Sequence, residues 1–224
     1  MKIRELTDGI EKFDLVMPEF QREYVWEREQ AKQLVVSLYR GYPTGSLLFW
    51  KTDSPPEIKN AAIAIDRIGT TSVILDGQQR LTTLYLLIRG EIPPYYNVAD
   101  IKNDPRDLYF DVDSGDFQYF QHILMAKNPS WVPVISCFEE GTINPFEIAK
   151  AKAGEDGDPG QLAERFYTNL NRLRNVREAD YPVQTVPSSA DIDEAIDVFD
   201  RVNSLGTKLG AADWPDPGGS VRPL

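Results

Sequence analysis

Ser72-Val73-Ile74-Leu75-Asp76-Gly77-Gln78-Gln79-Arg80 carries two structural periods in one short stretch. Its first four residues include two β-branched ones and read as a buried strand. After Arg80 the pattern changes: Leu81, Leu84, Tyr85 and Ile88 recur at helical spacing on one face. Gly90 stands where a helix ends, and Pro93-Pro94 blocks a restart. A strand therefore runs straight into a helix. The backbone N–H groups of a helix's first turn lack internal partners and carry partial positive charge. Gly77 allows close backbone approach there, and Arg80 adds a forked cation. That combination suits a phosphate group without a P-loop. The same residues also suit a helix cap, with Asp76 as N-cap, Gln79 reaching back from N3 and Arg80 facing solvent.

Working outward, Glu27 to Arg40 has Ala31, Leu34, Val35 and Leu38 at helical spacing, with Gly41 just beyond. Tyr42 to Gly45 reads as a turn and Ser46 to Trp50 as a strand. In the middle third, Leu108 to Val112 and Phe117 to Phe120 form a hairpin pattern around Ser114-Gly115, and Trp131 to Val134 reads as extended. Gln161 to Arg177 is helical, with Leu162, Phe166, Leu170 and Leu173 on one face and four arginines beside them. Tyr181 to Val186 is a strand, and Asp191 to Val202 is a helix with Asp191 and Glu194 set for a capping box. Asp213 to Leu224, with three prolines and two glycines, reads as a disordered tail. Strands interleaved with helices predict an α/β or α+β fold.

The 224 residues make one large domain or two small ones. Residues 1–212 are expected to form the folded domain, with an insertion or subdomain near 91–160. Twenty-four basic and 35 acidic residues leave a formal charge of −11, which argues against a generic polyanion binder. The acidity is uneven: residues 91–160 carry a net −8, whereas residues 1–90 hold 12 charges of each sign. One cysteine, Cys137, excludes an internal disulfide and a cysteine-built zinc site. One histidine, His122, excludes sites built from several imidazoles, including an HNH-type nuclease centre. Asp111, Asp113 and Asp116 serve a turn more readily than a metal, so no metal ligand is assigned. No apolar run spans a membrane and the N-terminus has no signal-like core, so the expected compartment is the cytoplasm.

Two further segments pair aromatic with polar side chains. In Phe20-Gln21-Arg22-Glu23-Tyr24-Val25-Trp26, Arg22 and Gln21 suit a phosphate or a base edge, and Tyr24 and Trp26 suit stacking on a base. The competing reading makes Phe20, Val25 and Trp26 core plugs, with Arg22 paired to Glu19 or Glu23. In Phe199-Asp200-Arg201-Val202-Asn203-Ser204-Leu205-Gly206-Thr207, Arg201, Asn203 and Thr207 suit a polyanion pocket, or simply a helix C-terminus.

Taken in order, Phe20-Gln21-Arg22-x-Tyr24-x-Trp26, Gly41-Tyr42-Pro43-x-Gly45-Ser46, Leu75-Asp76-Gly77-Gln78-Gln79-Arg80-Leu81-Thr82-Thr83 and Phe199-x-Arg201-x-Asn203-Ser204-x-Gly206-Thr207 resemble the N-terminal domain of GmrSD-type, modification-dependent restriction endonucleases. The resemblance covers residues 10–212. It implies a ParB/sulfiredoxin-like mixed sheet flanked by helices. It also implies a regulatory and DNA-sensing module of a prokaryotic anti-phage restriction system that binds and hydrolyses a nucleoside triphosphate with Mg2+. By matching motifs, Asp76, Gly77, Gln78, Gln79 and Arg80 would hold the nucleotide, with Gln21, Arg22, Arg201 and Asn203 beside them. Arg80 and Gln78 or Gln79 would serve hydrolysis, and Arg22, Tyr24 and Trp26 would meet modified DNA. Asp200 departs from the family pattern, which has Asn there. Family members continue into a histidine-containing nuclease domain. The tail here predicts a truncated product, or a stand-alone half working with such a nuclease on another chain. A DNA-binding module without catalysis, an inactive relic and an intrinsic ParB-like nuclease are the alternatives.

Overall fold

The computed structural model describes residues 1–59, 70–154 and 157–205, and for 203–205 the backbone only. The strand-to-helix junction is present as expected. Strand β3 (Thr71–Asp76) enters helix α3 (Gln78–Arg89) through Gly77, and Gly90 closes α3 in the left-handed region. Around β3 lies a four-stranded mixed sheet, β1 (Leu15–Val16), β3, β2 (Leu47–Thr52) and β7 (Val183–Val186), in that order. β1 runs parallel to β3, β2 antiparallel to it, and β7 parallel to β2. Helix α2 (Arg28–Arg40) ends at Gly41, whose φ of 74° takes the left-handed cap that only glycine adopts without strain.

A second, antiparallel sheet is built from β4 (Leu108–Asp111), β5 (Phe117–Tyr119) and β6 (Trp131–Pro133), with β4 central. The hairpin expected in the middle third is therefore present. The Asp111 carboxylate serves its turn, accepting from the Asp113 amide and the Ser114 hydroxyl. Phe110, Phe117 and Val132 of this sheet share one apolar cluster with Leu34 and Tyr39 of α2 and with α3. Two differences from the sequence reading concern helices. Ile3, Leu6 and Ile10, all fully buried, define helix α1 (Ile3–Glu11), a segment judged above only for a signal. Val134 does not extend β6 but begins α5 (Val134–Phe138), after the short α4 (His122–Met125) and before α6 (Pro145–Ala153).

Helix α7 (Pro159–Arg174) passes into a 3-10 turn at Asn175–Glu178. Its arginines brace the fold. Arg172 Nε donates to the Tyr39 carbonyl and Arg174 Nε to that of Cys137, while Arg165 pairs with Asp113. Helix α8 (Ile192–Leu205) starts with the expected box, Asp191 and Glu194 exchanging backbone-to-carboxylate bonds. The tail from 206 on, with Gly206 and Thr207, lies outside the described residues. Cys137 is a buried hydrophobe, and burial pushes its thiol up to about 12. His122 is exposed. Among the described residues no helix is long and apolar enough to cross a membrane.

Three buried phenols surround α3. The Tyr24 hydroxyl meets Thr83 Oγ1 at 2.9 Å and that of Tyr95 meets Thr82 Oγ1 at 3.2 Å, while Tyr96 donates to the Arg22 carbonyl. Burial pushes Tyr24 up to about 12 and raises Tyr95 and Tyr96 further. Each phenol keeps its proton in the fold after it has lost it in the unfolded chain. Its contribution is whole below about pH 10 and declines above, by about 1.4 kcal/mol per pH unit per phenol. Urea midpoints measured upward from neutral pH should be flat and then drop steeply above about pH 10.

Candidate functional site

The junction is not capped as the sequence alone allows. Gly77 is the N-cap, at φ 91°, and no side chain caps the helix. Asp76 is the last residue of β3, and Gln79 sits at the second helical position rather than the third. The capping-box reading therefore fails. Among the described residues no acceptor meets the amides of Gln78, Gln79 or Arg80. The Asp76 carboxylate turns sideways and accepts from Arg80 Nη2 at 3.0 Å. Arg80 Nη1 donates to the Thr44 carbonyl at 3.0 Å, so Arg80 is fixed at both nitrogens and does not wave in solvent. Gly77 is needed for packing more than for ligand approach: a Cβ there would lie 2.2 Å from Leu47 Cδ2 and 3.2 Å from Arg80 Nη2.

Residues 18–26 lie across this junction as an irregular strap, held by three glutamines. Gln21 Nε2 donates to the Leu75 carbonyl at 2.7 Å, and Gln78 Nε2 donates to the carbonyl of Arg22. Gln79 uses its whole amide: Oε1 accepts from Val25 N at 2.9 Å and Trp26 N at 3.2 Å, and Nε2 donates to the Glu23 carbonyl at 2.9 Å. These are backbone groups that no regular element satisfies. Gln78 Oε1 is buried without a partner among the described residues.

The strap departs from both readings of its aromatics, except that Trp26 packs against the core as the competing reading has it. Tyr24 is fully buried against Thr83, so it is a core plug and has no face to offer a base. Phe20, expected in the core on the structural reading, is 56% exposed, and Val25 is exposed too. Trp26 is half-buried against the core. Arg22 does not pair with Glu19 or Glu23; Glu23 is taken by Lys59, and among the described residues the Arg22 guanidinium has no ion-pair partner. Its backbone carbonyl, by contrast, is clamped from two sides by Gln78 and Tyr96. Tyr96 is a positioning residue that the sequence did not reveal.

Strap and junction open onto one cavity of about 900 Å³, within the range of small-molecule sites. Gln21, Arg22, Asp76, Gly77, Gln78, Gln79 and Arg80, proposed from sequence, all line it, as do Phe20 and Trp26. Helix α2 adds Gln30, Gln33, Leu34 and Ser37, which sequence reasoning missed, and α8 contributes Phe199. Arg201 is not among the lining residues. Its side chain is 63% exposed and pairs with Asp197 one helical turn back, so the helical i,i+4 spacing takes it out of the proposed pocket. Asn203 lies in α8, but its side chain is outside the described residues. Among the described residues Asp76 is the one carboxylate on the cavity wall. Among the described residues no three His, Cys, Asp or Glu side chains gather to hold a metal.

The chain is 23% identical over 248 residues to an uncharacterized protein of Methanocaldococcus jannaschii, across 94% of its own length. It spans only 40% of that relative. The model of the family described as GmrSD restriction endonuclease, N-terminal domain, matches residues 3–214. That stretch contains the strap, the junction and every cavity-lining residue, and the chain belongs to the GmrSD restriction endonuclease N-terminal domain family.

Proposed function

We propose that the chain is the nucleotide-binding, regulatory and DNA-sensing module of a restriction system, and that a nucleoside triphosphate sits in the cavity beneath the strap. One observation carries this reading: the uncapped start of α3, the fixed Arg80 and Arg22, which has no ion-pair partner among the described residues, all converge on a single cavity. Free helix amides and arginine forks are the donors that phosphate oxygens require. Asp76 is half neutralised by Arg80, which limits its repulsion of an anion. The residues fit a triphosphate with magnesium carried largely on its own phosphates, Asp76 being the protein carboxylate at hand. Magnesium would supply charge neutralisation at the transferring phosphate. In hydrolysis Gln78 is the water-orienting candidate, because its Oε1, though buried, has its acceptor capacity uncommitted among the described residues. Gln79 has no free polar atom, so it is a positioning residue. The mixed sheet flanked by helices suits a ParB/sulfiredoxin-like core. A histidine-containing nuclease on a separate domain or chain would do the cutting, with modified DNA as the signal.

Calorimetric titration with each triphosphate and magnesium tests the site. Arg22→Ala should weaken binding about 10- to 100-fold with little change in melting temperature, because Arg22 is exposed and its guanidinium has no ion-pair partner among the described residues. Arg80→Ala should lose binding and some stability together. Flat titrations of the parent chain with all four triphosphates would remove the proposal. A second reading, DNA sensing without nucleotide, is favoured by the exposed Phe20 ring beside Arg22. Duplex affinity that falls steeply with salt and survives Arg80→Ala would select it.

A further inference from the structure

The cavity wall divides by chemistry. Its cations and open helix amides come from the strap and the β3–α3 junction. Helix α2 contributes no charge at all: Gln30, Gln33 and Ser37 line the cavity around the apolar Leu34. These three positions follow i, i+3, i+7 and so share one helical face. Their local bonds leave a defined set of polar atoms open. Gln30 Oε1 is committed to the Glu27 amide, which leaves its Nε2 as a donor. Gln33 Nε2 is committed to Glu29, which leaves its Oε1 as an acceptor. The Ser37 carbonyl accepts from the Tyr42 amide at 2.8 Å, while its hydroxyl meets no partner among the described residues and can act in either sense.

From this we infer that the α2 row Gln30–Gln33–Ser37 is the base-reading wall of the cavity, so that the ligand is selected by its nucleobase edge and not by its phosphates alone. An amide donor and a hydroxyl can each bond a phosphate oxygen, but the Gln33 Oε1 acceptor cannot, and none of the three side chains brings charge to a polyanion. They match the alternating donors and acceptors on the edge of a nucleobase. Leu34 and the Trp26 ring supply apolar surface for the faces of the base. A site built to bond particular polar groups rejects a ligand lacking them, because its own groups are then left unpaired. The inference rests on the triphosphate reading above.

The experiment uses the full chain, magnesium, the four common nucleoside triphosphates and inorganic tripolyphosphate. At least one nucleoside triphosphate should bind about tenfold or more above tripolyphosphate, and the four should differ among themselves. Gln33→Ala and Ser37→Ala should each narrow that spread about three- to tenfold while leaving tripolyphosphate affinity and melting temperature unchanged. Both positions sit on an accessible helix face where alanine keeps the helix. If tripolyphosphate binds as tightly as all four nucleotides, or the variants keep the parent spread, the base-reading wall is wrong while the phosphate site stands. If neither tripolyphosphate nor any nucleotide binds, both readings fall.

Discussion

Replacing Gln79 by alanine should cost more than any other single truncation at the site. The variant removes three hydrogen bonds at once and strands Val25 N, Trp26 N and the Glu23 carbonyl, all three only partly open to water. A net bond contributes about 1 kcal/mol, and an unsatisfied buried partner adds to the loss. The expected destabilisation is about 2–4 kcal/mol. In a chain of this size that lowers the melting temperature by about 5–15 °C. Triphosphate affinity should fall as well, because Arg22 sits on the strap that the amide holds. Gln79→Glu separates the two ends of the amide. A carboxylate keeps an acceptor for Val25 and Trp26, yet it offers no donor to Glu23, so its loss should be intermediate. A Gln79→Ala protein with parental melting temperature and parental affinity would show that the strap is held by something else.

Gly77→Ala is the second large effect, and it acts through the core. At φ 91° a side chain is strained by about 1–2 kcal/mol. The new methyl would also sit 2.2 Å from Leu47 Cδ2, and Leu47 is fully buried in β2, so it has nowhere to turn without repacking. Overpacking adds about 1–3 kcal/mol, and the sum should appear as a lowered urea midpoint. Gly45→Ala makes the useful contrast. Its backbone is strained in the same sense, but its Cβ would meet Arg80 Nη1 at 2.3 Å. A guanidinium can be pushed aside, so that variant should lose ligand affinity out of proportion to stability. Equal midpoints for Gly77→Ala and the parent would contradict the packing argument.

The elements around the site were legible in the sequence because they follow local rules. The period change after Arg80, and the glycines at 41 and 90, placed β3, α3 and the end of α2 to within a few residues. The box at Asp191 and Glu194 was equally local. Helix α1 had its signal in Ile3, Leu6 and Ile10, three buried positions at i, i+3, i+7. The strap was not legible in the same way. It has no period, so nothing local decides that Tyr24 turns inward while Phe20 turns out. Nor does any spacing rule say that a glutamine will satisfy backbone groups 53–56 residues away. The polar row of α2 was hidden for another reason. Surface glutamines on an amphipathic helix look alike until a second element closes a cavity over them.

Because Gln79 Oε1 is the shared acceptor for the Val25 and Trp26 amides, those two protons are sheltered by a side chain and not by a ladder. Their hydrogen exchange therefore need not follow global unfolding. It follows the smaller opening in which the strap peels from α3 while the sheet stays intact. Two backbone amides thus act as a built-in clock for assembly of the cavity, running independently of the core behind it.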